Sequence, residues 1–156
     1  MAPAPQIRDL NDLTATLQML SANDTKVIKK AEKMLKVFLK TPSHASYLVL
    51  ILRNTQSEVA VRHHAALLLK KKVGAFFPKC SAQEQAQLKT EVLNLLVHEP
   101  VSGVATGIAG IVAIVSKAVF EAGGAWDELF ALLMQLTSDP NEKLRATNFK
   151  LLAEVR

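Results

Sequence analysis

Catalysis and metal binding need nucleophiles, bases or ligand groups at fixed spacing, and this chain offers few. Its four histidines are His44, His63, His64 and His98. His63 and His64 are adjacent, so on a helix their rings point about 100° apart and cannot share one metal ion. His44 and His98 have no partner at ligand spacing. The single cysteine, Cys80, follows Lys79, whose charge would favour a thiolate; an ordinary loop thiol is the simpler reading. One cysteine excludes an internal disulfide and fits a reducing compartment. Gly103, Gly107 and Gly110 have no strand before them and lie in a helical stretch, so they read as close-packing positions between helices rather than a phosphate-binding loop. No catalytic residue, metal site or cofactor is expected.

What remains is charge. Six lysines and one glutamate lie between Lys26 and Lys40, a local balance of +5, and Arg62 with Lys70, Lys71 and Lys72 adds +4. The whole chain carries +5, from 19 basic and 14 acidic residues, so its basicity is concentrated in these two segments. Such segments suit an acidic partner surface and electrostatic steering. The plainer alternative, favoured for Lys29, Lys33, Lys36 and Lys40, is a solvated helix face. Direct nucleic-acid binding would want aromatic residues among the lysines, and Phe38, the one nearby, reads as core.

The elements that position these charges are helical. The chain has 156 residues, 49% hydrophobic, 21% charged and only 5% aromatic, with six glycines and six prolines, a composition unlike a β-sandwich or barrel. Leu10, Leu13, Leu17 and Leu20 follow helical spacing behind Asp9 as N-cap. Asn23 or Asp24 caps a second helix through Val27, Ala31, Leu35 and Phe38, broken at Thr41-Pro42-Ser43. Tyr47 to Leu52 form a short apolar third helix. Ser57 starts a fourth, stopping near Gly74 and Pro78. Ser81 and Glu84 make a capping box for the fifth. Pro100 opens the sixth and Gly123-Gly124 closes it. Trp126, read as core, begins the seventh, and Asp139-Pro140 the eighth.

Alternate helices share one skeleton. Asp24, Val27, Ala31 and Leu35 correspond to Glu58, Val61, Ala65 and Leu69, to Val101, Val104, Ile108 and Val112, and to Asn141, Leu144, Asn148 and Leu152. Val27 to Val61, Val61 to Val104 and Val104 to Leu144 are 34, 43 and 40 residues apart. A helical hairpin recurring at about 40 residues is the pattern of HEAT or armadillo repeats. Residues at i, i+4 and i+8 form one stripe, and a small residue in mid-stripe admits a close neighbour. The expected fold is an all-α, right-handed α-solenoid of about four such repeats, eight antiparallel helices forming a single segment over residues 1–156 behind a flexible stretch 1–8. The last helix runs to Arg156 with no stop signal, so the chain reads as the N-terminal piece of a longer solenoid.

Pro100 to Ser116 is a run of 17 uncharged residues, and a short membrane span with a Gly103-xxx-Gly107 packing face is an alternative. Three glycines, two serines and a threonine dilute it, and its flanks are amphipathic, which favours a buried core helix. Met1 to Gln6 do not form a secretory signal.

The order of several segments resembles the N-terminal HEAT repeats of importin-β-type nuclear transport receptors. The segments are Asp24 to Leu39, Val61-Arg62-His63-His64-Ala65-Ala66 through Lys70, Phe77-Pro78 with Ser81 to Gln85, Trp126-Asp127-Glu128-Leu129, and Asp139 to Arg145. The run Ala65 to Lys72, ending in three lysines, is most similar to the importin four subgroup. The resemblance implies a receptor that shuttles between cytoplasm and nucleus, is not an enzyme, and binds the GTP form of Ran, nuclear pore proteins and cargo. That cargo includes basic proteins such as histones or ribosomal proteins. The second helices of the first repeats would contribute to the Ran site, which carries over to Lys70 and Lys71, then to Arg62, His63 and Lys30. The family often has Lys-Asn where this chain has Lys70-Lys71. Beside this reading stands a general HEAT or armadillo scaffold for protein–protein contacts.

Overall fold

Three helix starts, those of α1, α2 and α5, are set by side chains that satisfy the free N–H groups of a first turn. Asp9 accepts a hydrogen bond from the Asp12 N–H at 2.8 Å and opens α1, Leu10–Met19. Asp24 accepts from the Lys26 N–H at 2.9 Å and opens α2, Thr25–Phe38. Ser81 and Glu84 form the expected reciprocal box at the head of α5, Ala82–His98, with bonds of 3.2 and 3.1 Å. The computed structural model describes residues 6–41 and 43–138, which hold seven α-helices, one 3-10 turn and no strand. The expected eighth helix, with Asn141, Leu144, Arg145, Asn148 and Leu152, lies outside the described residues, as do Pro42 and most of the stretch 1–8. Arg8 is held by Asp12, whose Oδ2 accepts from its backbone N–H and its guanidinium at 3.0 and 3.3 Å.

The chain divides into two units, Met1–Leu68 and Leu69–Arg156. In the first, α1 packs against both α2 and α3, His44–Arg53. Leu13 and Leu17 from α1, Ala31, Leu35 and Phe38 from α2, and Leu48, Val49, Ile51 and Leu52 from α3 are buried. Phe38 and Tyr47 stack nearly parallel, with ring centres 5.8 Å apart. The buried Thr16 hydroxyl donates to the Asp12 carbonyl at 2.7 Å, so it packs among leucines with its polar group satisfied. The start of α4, Val59–Phe76, is tied to α1 where the Gln18 amide donates to the Glu58 carboxylate at 2.9 Å.

In the second unit α5 pairs with α6, Ser102–Glu121. This is the long apolar stretch, the one described helix long and apolar enough to cross a membrane. It buries Val104, Ala105, Ile108, Ala109, Ile111, Val112, Val115 and Val119, against partners that include Leu88, Val92, Leu95 and Leu96 of α5. That is the packing of a core helix. It ends as the double glycine predicts: Gly123 has φ of +81°, its N–H donates to the Phe120 carbonyl at 3.0 Å, and Gly124 donates to Val119 at 2.9 Å. Trp126 is buried just before α7, Asp127–Ser138, with the Lys89 ammonium 5.8 Å from its ring centre.

The fourth helix starts at Val59, two residues after Ser57, and stops at Phe76, between Gly74 and Pro78 as expected, followed by a 3-10 turn at Phe77–Lys79. Gly74 is there for proximity: a Cβ at that position would stand 3.3 Å from Cγ2 of Ile114 on α6.

Candidate functional site

The charged face begins on α2. Ala31, Leu35 and Phe38 turn one side of the helix into the core, and all six lysines are exposed. Lys26, Lys29, Lys33, Lys36 and Lys40 recur at alternating steps of three and four, which puts them in one line opposite that core. Lys30 lies about 100° around from Ala31, on the flank it shares with Val37, which is 61% exposed. Glu32 is the single acidic residue on the helix.

On α4, Val61, Ala65, Ala66, Leu69 and Val73 are buried. Ala60, His63, Leu67 and Lys71 are exposed and follow one another at helical spacing, so they form its outward line. His63 and Lys71 therefore stand where the sequence places them. His64, half-buried, approaches the Ser21 hydroxyl at 3.4 Å, and its ring is held below the ordinary histidine range by burial first and by the neighbouring His63 charge second. The two rings are 6.4 Å apart and tilted, and no group of three His, Cys, Asp or Glu able to hold a metal ion occurs among the described residues.

Arg62 requires a correction. It is 1% exposed, and its Nη2 donates to the Leu52 carbonyl at 3.1 Å. That carbonyl belongs to the last turn of α3, where the helix leaves acceptors without intrahelical donors and favours a cation. Arg62 joins α4 to the end of α3 and is no surface contact.

Lys70 is half-buried, and its side chain lies across Gly110 of α6. The three atoms nearest to a Cβ placed on Gly110 are Lys70 Cε, Nζ and Cδ, at 2.7, 2.8 and 3.0 Å. The other close approach between these helices joins Gly74 and Ile114. Both pairs are 40 residues apart, so α4 and α6 run side by side in parallel register, one repeat apart. Gly110 is a close-packing position, as its place in the helix suggested, and the side chain that packs on it is Lys70. Gly103 requires a correction: nothing would lie within 4 Å of a Cβ there, so it is not a close-packing site.

Burial pushes the Cys80 thiol up, the Glu84 charge raises it further, and Sγ donates to the Phe76 carbonyl at 3.5 Å. An open cavity of about 250 Å³ in the second unit is lined by Phe77, Pro78, Gln85, Lys89 and Val119 among others. Its Gln85 amide is engaged with the Phe77 carbonyl at 2.9 Å.

Residues 31–98 match the importin-beta N-terminal domain. Over 135 residues the chain is 30% identical to a probable importin subunit beta-4 of Schizosaccharomyces pombe, covering 86% of this chain. This is an N-terminal importin-β-type region. It is also 25% identical over 94% of its length to a transportin of Dictyostelium discoideum, and 29% identical over 81% to human importin-11. It spans only 12%, 16% and 14% of these three relatives, and their variety singles out no subgroup. The fold is that of the karyopherin HEAT solenoids. It superposes on Kap95p, from a structure with RanGDP, with a TM-score of 0.81 over 95% of this chain and 19% of that one at 20% identity. It superposes on Kap121p bound to Pho4p with 0.79 over 93% and 14% at 19% identity. Importins and transportins are nucleocytoplasmic transport receptors rather than enzymes.

Proposed function

We propose that this importin-β N-terminal segment recognises the GTP-bound form of Ran through the outward faces of its second helices, within a receptor that moves cargo between cytoplasm and nucleus. The supporting observation is the division of labour on α4: Val61, Arg62, Ala65 and Leu69 hold the helix in place, and His63, Leu67 and Lys71 are left on its outward line. Lys30 on α2 and Lys70, laid over α6, extend the same basic character. A basic face attracts an acidic partner surface and speeds its encounter. The same charge repels basic cargo, which makes these helices a poor site for histone-like or ribosomal proteins.

Titration of the chain with Ran loaded with a non-hydrolysable GTP analogue, and separately with GDP, tests the reading. Clear preference for the GTP form is expected, with affinity falling as salt rises. Equal affinity for both forms, or no binding to either, contradicts it and returns the chain to the class of general HEAT scaffolds.

A further inference from the structure

The outward line of α6 runs through Thr106, position 110, Ala113 and Lys117 by helical spacing. Thr106 and Lys117, at the two ends of this line, are exposed, whereas Gly110 and Ala113 between them are buried. What covers Gly110 is Lys70: the three atoms nearest to a Cβ at 110 all belong to that one side chain. A glycine in mid-helix weakens the helix, and here the one neighbour that a methyl group would displace is the end of a lysine.

We propose that Gly110 is a positioning residue for Lys70. Its missing side chain leaves a shallow seat in α6, and the lysine stem lies in that seat. The ammonium then rests on the outward side of α6 instead of swinging freely from α4. Apolar stems of lysine commonly cover apolar surface while the charged end stays in water. The result is a cation on a face that α6 itself supplies with one lysine, Lys117, about 10 Å further along the axis. Two cations at that separation on one helix face suit a partner presenting two carboxylates, for example two turns apart on an acidic helix. A side chain held in place also loses less freedom on binding than one that must be ordered by the partner.

The functional part rests on the Ran reading; the seat itself does not, and the experiment separates them. Acetylate the whole chain with a limiting amount of an N-hydroxysuccinimide ester and read each lysine by peptide mass spectrometry. Gly110→Ala should raise the reactivity of Lys70 several-fold and leave exposed Lys71 unchanged. Its melting midpoint should not fall, because the displaced atoms belong to the mobile end of a flexible side chain. Unchanged Lys70 reactivity, or a marked fall in melting, overturns the seat. Titration with GTP-analogue-loaded Ran should then show Gly110→Ala and Lys70→Met each weakened by about three- to tenfold, with the double variant no weaker than Lys70→Met alone. Weakening by Lys70→Met without weakening by Gly110→Ala contradicts the positioning role and leaves the Ran reading standing. If the parent chain binds Ran in neither nucleotide form, the Ran reading fails and the reactivity comparison still decides the seat.

Discussion

Helices α2 and α6 occupy equivalent places, each the second helix of its hairpin, and they solve opposite problems. In α2, Ala31, Leu35 and Phe38 are buried and five lysines face water. In α6, twelve of the described residues are buried and Lys117 is the one basic side chain. A helix covered on several sides must be apolar nearly all round, whereas a helix covered on one side stays amphipathic. The consequence for recognition is that α2 carries its own charge. The outward face of α6 receives a second one from Lys70, through Gly110.

Substitutions that break or sharpen this contrast should act on stability in α6 and on binding in α2. Ile108 is fully buried, so Ile108→Ala is expected to destabilise the chain by about 3 to 4 kcal/mol in urea unfolding. Lys33→Ala on α2 should stay within about 0.5 kcal/mol of the parent. A comparable loss at both positions would dissolve the distinction. Arg62→Ala removes a buried guanidinium and its bond to the Leu52 carbonyl and should cost about 2 to 3 kcal/mol, while neighbouring His63→Ala costs little. Gly110→Ala should raise stability by at most about 1 kcal/mol through helix propensity, the one change that strengthens α6 while harming its surface.

The smallest effect concerns the cap of α5. The Glu84 carboxyl is held below its ordinary 4.5, first by the Ser81 backbone N–H and then by the Ser81 side chain. A carboxyl favoured in its charged form when folded stabilises the fold above its unfolded value, and that contribution is lost as pH falls through its folded value. Glu84→Gln should therefore flatten the fall in thermal stability below about pH 4.5, the range set by the shifted carboxyl.

Much of this was legible in the residues. Asp9, Asp24 and the Ser81–Glu84 pair announce their helix starts, and Gly123-Gly124 announces a helix end, because caps are local chemistry. The repeat emerges from aliphatic spacing, and the Lys70–Gly110 and Gly74–Ile114 contacts between α4 and α6, each 40 residues apart, fall near the 43 residues that separate Val61 from Val104. Non-local partners were hidden. Arg62 reads as a surface cation until the Leu52 carbonyl, ten residues back, is seen to accept its hydrogen bond. Gly74 reads as a helix stop until Ile114 comes within contact. Gly103 and Gly110 look equivalent in spacing and differ only in what lies beyond them.

The account depends most on Lys70 and Lys71 of α4 being recognition groups. The most direct measurement is Lys70→Glu with Lys71→Glu, followed in parallel by GTP-analogue–Ran titration and urea unfolding. We predict at least about tenfold weaker binding with an unfolding free energy within about 0.5 kcal/mol of the parent. Unchanged binding, or a large loss of stability, would contradict it.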